Sequence, residues 1–168
     1  MVGVAKDMEK KPIHKVIVTG YDENLVKKVV SAFTSTGDRA GQIQVYKKTL
    51  MVDNDTVNVV VFKVPGTPKL RELRGSLYVG ASGVIIVFSM ASVESLYNAL
   101  YLVEELLILQ MEGKIPDIKI VLLGIRENGE ILNQQFLRQV CSRSGMEFLV
   151  ISLRNKNSIE HAFKLAIF

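Results

Sequence analysis

The sequence predicts an α/β domain of three layers: a six-stranded, mostly parallel sheet with one antiparallel hairpin strand, between helices on both faces. Three observations carry this. Strand-like and helix-like segments alternate from residue 57 onward, the order that builds parallel strands joined by crossover helices. The central strand candidates, Val84–Phe88 and Ile120–Leu123, are continuous apolar runs, as strands buried on both faces are. A polar turn, Asp53-Asn54-Asp55-Thr56, separates Ile43–Val52 from Val57–Phe62, which predicts a hairpin.

Met1–Pro12 is charged and without apolar periodicity. Residues 1–13 therefore read as a flexible arm, and residues 14–168 as one domain. A first strand at Lys15–Thr19 ends at Gly20, and a helix follows over Asn24–Phe33, with Leu25, Val26, Val29, Val30 and Phe33 as its buried stripe. Thr34–Gln42 holds glycine, serine and threonine and reads as a mobile loop. The organising stretch is Val59–Ala91: a buried strand, a turn at Pro65-Gly66, a short helix and a second buried strand. Leu70, Leu73 and Leu77 recur at helical spacing and point that short helix to the core. A long helix over Ser92–Met111 has a core stripe of Leu96, Leu100, Val103 and Leu107. Tyr97, Tyr101, Leu102, Ile108 and Leu109 lie off that stripe. Such a surplus fits either a partner surface or unusually full cover by neighbouring helices. Strand Lys119–Leu123, helix Ile131–Ser144, strand Glu147–Ile151 and helix Ser158–Ile167 complete the domain.

A chain of 168 residues, 48% hydrophobic, suits one domain with a sizeable core. No apolar run approaches a membrane span. The N-terminus lacks the order of a signal peptide, which implies a cytoplasmic, intracellular protein. The single Cys141 forms no internal disulfide and reads as a packing residue. The formal charge of +4 is spread along the chain, so nucleic-acid binding is not indicated. Asp53 and Asp55 fit turn chemistry, and no third carboxylate nearby makes them metal ligands. Gly3 does not follow the initiator directly, and the sequence ends Ala166-Ile167-Phe168, so no lipidation signal is visible.

The run LRGSLYVGASGVIIVFSMASVESL closely resembles the matching segment of the Ras superfamily of small GTPases, the Rab proteins most of all. The order of strands and helices over Lys15–Phe168 is also that of the small-GTPase fold. The resemblance implies a guanine-nucleotide site at the carboxyl ends of the strands, and each of its motifs is altered here. The phosphate loop G-x-x-x-x-G-K-[ST] is Gly20-Tyr21-Asp22-Glu23-Asn24-Leu25-Val26-Lys27. Only the first glycine matches, and Lys27 stands at the magnesium hydroxyl. Asp22 and Glu23 place carboxylates where phosphates would sit. An acidic or amide group at Asp22, Glu23 or Asn24 would instead cap the next helix, filling the anion site from within. Asp-x-x-Gly is Lys63-Val64-Pro65-Gly66, a lysine in place of the magnesium-side acid. Gly41 stands where a magnesium threonine would be, and Thr67 where a water-orienting glutamine would be. Asn-Lys-x-Asp is Ile125-Arg126-Glu127-Asn128, and Ser-Ala-Lys is Ser152-Leu153-Arg154. Gly20, Lys27, Lys63, Gly66, Asn128 and Ser152 are thus degenerate nucleotide-site positions.

Each lost charge-assisted contact costs about 1.5–3 kcal/mol of binding. The resemblance therefore implies a pseudo-GTPase: no enzyme, no catalytic residue, no metal and no cofactor. Its role would be a nucleotide-independent interaction module, a scaffold or subunit of an intracellular assembly such as trafficking or cytoskeletal machinery. Its partners would meet the switch-equivalent segments 36–46 and 65–78, held in one state, or the long helix 92–111. Tyr46, Leu70, Tyr78, Tyr97, Tyr101 and Ile108 are the candidate contacts. One alternative is an atypical small GTPase that binds GTP or GDP weakly, with magnesium, and signals to effectors. A second is a receiver-like signalling domain, loosely suggested by VIVTGYDENLVKKVVSAF, although Val61 or Phe62 stands where a receiver carries its phosphorylated aspartate.

Overall fold

The structure is a computed structural model that describes residues 11–36, 41–127 and 129–168. Residues 1–10 of the arm expected over 1–13, loop residues 37–40 and Asn128 lie outside the described residues. In chain order the elements are β1 (Ile13–Gly20), α1 (Glu23–Thr34), β2 (Gln44–Val52), β3 (Asp55–Pro65), α2 (Arg71–Tyr78), β4 (Gly83–Ser89), α3 (Val93–Met111), β5 (Lys119–Ile125), α4 (Gln134–Arg143), β6 (Glu147–Ile151) and α5 (Lys156–Ile167). The first strand thus begins inside the segment expected as an arm. It extends there because Ile13 is already in register with Asn58.

The strands form one sheet in the order β2-β3-β1-β4-β5-β6. Every neighbouring pair is parallel except β2 with β3. β1 sits between β3 and β4, and its apolar run Val16-Ile17-Val18 is fully buried. Alternation along it feeds two cores. Val16 and Val18 pack with α1 and α5, whereas Ile17 packs with the side chains of α2, α3 and α4. On the first face the rings of Phe33 and Phe163 stack, joining α1 to α5. The expected three-layer architecture is the observed one.

The hairpin turn is tighter than expected. Asp53 and Asn54 alone form it, both with positive φ (48° and 65°), while Asp55 and Thr56 already pair with Val52 and Met51. A two-residue turn of this hand matches the twist of the flanking strands, and Asp and Asn tolerate it. Asp55 accepts from Lys11 Nζ (3.3 Å) and from the Thr56 amide (2.7 Å).

Two helices bury faces other than those expected. The α2 segment opens with a short 3-10 turn at Pro68–Leu70 and then buries Arg74 and Tyr78. Leu73 is exposed and Leu77 half-buried. In α3 the buried face is Ala99, Leu102, Val103 and Leu106, with Glu105 beside them. Leu100 and Leu107, expected inside, are 37% and 40% exposed. Apolar residues occur on every side of this helix, so burial of leucine alone does not choose its rotation. Fuller cover accounts for Leu102 and Leu109, but Tyr97 and Tyr101 remain 61% and 62% exposed.

Helix α4 begins three residues later than expected. Ile131 and Leu132 donate their amides to Met90 O (3.0 and 3.3 Å), and Asn133 then caps the helix through the Phe136 amide (3.1 Å). Cys141 is buried on α4, and burial raises its thiol pKa, which leaves it a packing residue. No helix among the described residues is long and apolar enough to cross a membrane.

Gly83 starts β4 where α5 crosses it. A Cβ there would be driven into the carbonyl of Ala166, so the close approach needs glycine. Gly83→Ala is expected to lower unfolding free energy by about 2–3 kcal/mol. Denaturant unfolding would check this, and an unchanged midpoint would place α5 differently.

Candidate functional site

The carboxyl ends of β1 and β3 meet at two glycines. Gly66 donates its amide to Gly20 O (2.9 Å). A Cβ on Gly66 would lie 2.6 Å from the Gly20 carbonyl carbon, and one on Gly20 would lie 2.7 Å from Val87 O. Both positions therefore need glycine to let backbone approach backbone.

From Gly20 to α1 the chain uses only Tyr21 and Asp22. Asp22 adopts the extended conformation of a cap (φ −86°, ψ 98°), and its carboxylate accepts from the Asn24 and Leu25 amides (3.0 and 3.2 Å). These are the amides that a phosphate would otherwise meet at a helix N-terminus. Glu23 adds a second carboxylate in the first turn. Lys27 lies on the exposed side of α1, and Lys28 pairs with Glu127 at 2.8 Å.

Beside the two glycines lies a cleft of about 540 Å³, whose walls include Gly20, Glu23, Gly41, Lys63, Thr67 and Lys69. Lys63, half-buried, donates to Gln44 Oε1 at 3.3 Å. That oxygen also accepts from the Tyr46 hydroxyl (2.7 Å), and Gln44 Nε2 donates to Gly41 O (3.0 Å). Lys63 and Lys69 place positive charge on the wall of this cleft, and Glu23 places a negative one. A magnesium ion in such a place keeps most of its waters and takes one or two protein oxygens with the phosphates. Glu23 is the carboxylate this cleft offers. The fit is that of a weak anion site, with both signs of charge on its walls.

A second cleft, about 560 Å³, lies at the carboxyl ends of β5 and β6 and includes Lys28, Arg126, Glu127, Ser152, Leu153 and Arg154. Ser152 Oγ accepts weakly from the Arg154 amide (3.4 Å), and Leu153 packs partly against the core. Asn128, expected here, lies outside the described residues. The structure thus separates the expected site residues. Gly20 and Lys63 line the first cleft, and Gly66 is tied to Gly20 through its amide without lining that cleft. Ser152 borders the second, and Lys27 stands on a helix surface.

Two candidate partner contacts are corrected. Tyr46 (2% exposed) is buried with its hydroxyl on Gln44, and Tyr78 (0%) is buried with its hydroxyl on Glu105 Oε2 at 2.7 Å. Their rings complete the two cores, so neither can meet a partner. Leu70 and Ile108 are half-buried, and Tyr97 and Tyr101 are exposed.

The residues missed from the sequence are Arg74 and Glu105, 1% and 6% exposed. Arg74 donates Nε to Glu105 Oε2 (3.0 Å) and Nη2 to Oε1 (2.6 Å). Its Nη1 reaches the carbonyls of Pro65 (2.9 Å) and Thr67 (2.6 Å). Burial by itself would lower the Arg74 pKa, but the hydrogen bond and charge of Glu105 outweigh it and raise the group further. Burial, and then Glu105, push the Tyr78 hydroxyl well above its ordinary range. A charged residue inside an apolar helix was the available signal, and reading it required the rotation of α3.

The sequence model described as Ras family matches residues 18–167. The Ras-related protein Rab-11B of Dictyostelium discoideum is 25% identical over 169 residues, covering 95% of this chain and 74% of the relative. The Ras-related protein RabG2 of the same organism is 21% identical over 136 residues, covering 79% and 67%.

Replacing Asp22 by alanine removes the cap of α1. Stability is expected to fall by about 1 kcal/mol, measured as the shift in a urea unfolding curve. No shift would show that the two amides find equal partners without the carboxylate.

Proposed function

The chain belongs to the Ras family, and on that premise we propose that it is an atypical small GTPase that binds GTP and GDP weakly and signals to effectors. Membership corrects two expectations drawn from the altered motifs, that the protein has no cofactor and that it is no enzyme. Ras-family proteins bind GTP and GDP with magnesium and hydrolyse GTP, and the match runs through the altered motifs themselves over residues 18–167.

The observation that carries the reading is the cleft of about 540 Å³ at the carboxyl ends of β1 and β3, with Lys63 and Lys69 on its walls. It lies where ligands bind in open α/β sheets. Its lysines suit phosphate, and Glu23 suits the magnesium that accompanies it. Affinity is weak because Asp22 already occupies the helix amides that hold phosphate most tightly. Effectors of such a protein would meet the 65–78 segment and the exposed tyrosines Tyr97 and Tyr101 of α3, with Leu70 and Ile108 at the margin. The aromatic side chains supply large contact area at low entropic cost.

The test is guanine nucleotide released from freshly purified, magnesium-containing protein, followed by thermal shift with GDP. GDP at tenfold above its dissociation constant should stabilise the fold by about 1.4 kcal/mol, raising the melting midpoint by roughly 3–6 °C. Lys63→Ala should reduce that shift by at least half. With no released nucleotide and no shift at millimolar GDP, the reading fails.

A further inference from the structure

We propose that Arg74 is the pin that ties the Pro65–Thr67 turn to α3, so that the segment 65–78 keeps one conformation whatever occupies the cleft beside it. The guanidinium is fully buried and held on one side by both oxygens of Glu105. On the other side it binds the carbonyls of Pro65 and Thr67. These are the residues flanking Gly66, and the same turn is tied to β1 through Gly66 N–H to Gly20 O (2.9 Å). Tyr78, at the far end of α2, donates to the same carboxylate. The segment is therefore attached at its start, its middle and its end.

A nucleotide-driven rearrangement of this turn would have to free the Gly66 amide and strip Thr67 from Arg74. It would leave a buried guanidinium under-satisfied, the costly way to break a buried pair. The turn nevertheless lines the cleft, through Pro65 and Thr67. Arg74 is thus a positioning residue, acting on the cleft through the backbone it holds. Effector contacts on this segment would then be set by the fold and not by the nucleotide state. That last step rests on the nucleotide binding proposed above, whereas the pin itself does not.

Amide deuterium exchange of the full chain tests both parts. The protein is followed alone, with GDP and with a non-hydrolysable GTP analogue, magnesium present throughout. Exchange at 65–78 should agree among the three within about twofold, while amides at 41–44 or 63–64 slow with nucleotide. A change of about tenfold or more at 65–78 between GDP and the analogue would overturn the inference. If nucleotide slows no amide, the binding proposal fails and the variants alone decide the pin. Glu105→Gln should speed exchange at 65–78 by about tenfold or more while β5 and β6 stay unchanged. Should that variant not fold, Tyr78→Phe removes one bond to Glu105 and should speed the same amides by about fivefold. Unchanged exchange at 65–78 in whichever variant folds would refute the pin.

Discussion

A guanidinium taken out of water must be paired, and in this protein that requirement reaches well beyond one ion pair. Arg74 is buried against Glu105, and between them they bind Tyr78 and the carbonyls of Pro65 and Thr67. A buried pair adds little net stability over an apolar one of the same shape, but losing either partner is costly. Its effect is on geometry. For Glu105 to reach Arg74, α3 must present Ala99, Leu102, Val103 and Leu106 inward. Leu100 and Leu107 are turned outward as a consequence. For Arg74 to face Glu105, α2 must give up its leucine face to the solvent side at Leu73.

The same logic of satisfied polar groups organises the other end of the sheet. The first helix needs acceptors for its free amides, and Asp22 supplies one from within the chain. The connection from β1 to α1 is then two residues long, too short to wrap an anion in successive backbone amides as a phosphate loop does. What the fold keeps of its family's site is location: the strand ends, the two glycines in contact and a cleft with lysines on its wall. On the binding proposed above, the groups that meet an anion would shift from backbone amides, taken by Asp22, to the side chains Lys63 and Lys69.

The Lys63 ammonium in the cleft is held by a neutral partner and keeps its charge. Lys63 sits over the amide oxygen of Gln44, which is itself held by Tyr46 and by the Gly41 carbonyl through its other end. This chain of contacts links β3 to the start of β2 and buries an aromatic residue that the sequence placed on the surface. A tyrosine in an edge strand reads equally well as a contact or as core. The pairing of Tyr46 with Val61, on a face covered by α1 and α5, settles it as core.

The sequence by itself determined the architecture and the order of its elements, because both depend on local periodicity and turn chemistry, and it carried the family in the resemblance of one run, Leu73–Leu96. The continuous apolar runs of β1, β4 and β5 are legible as buried parallel strands, and Asp53-Asn54 as a turn. The departures Lys63, Asp22 and Leu25 from the family's motifs are equally legible, since they are matters of residue identity. Tertiary structure alone decided which faces of α2 and α3 are buried. Leucines surround α3, so its hydrophobic pattern is nearly the same at several rotations. The choice among them is made by one carboxylate, Glu105, and an arginine thirty-one positions before it. A preference exerted between residues so far apart in the chain leaves no trace in local periodicity. It becomes readable only when packing brings the two charges together and removes the water that would otherwise have served them both.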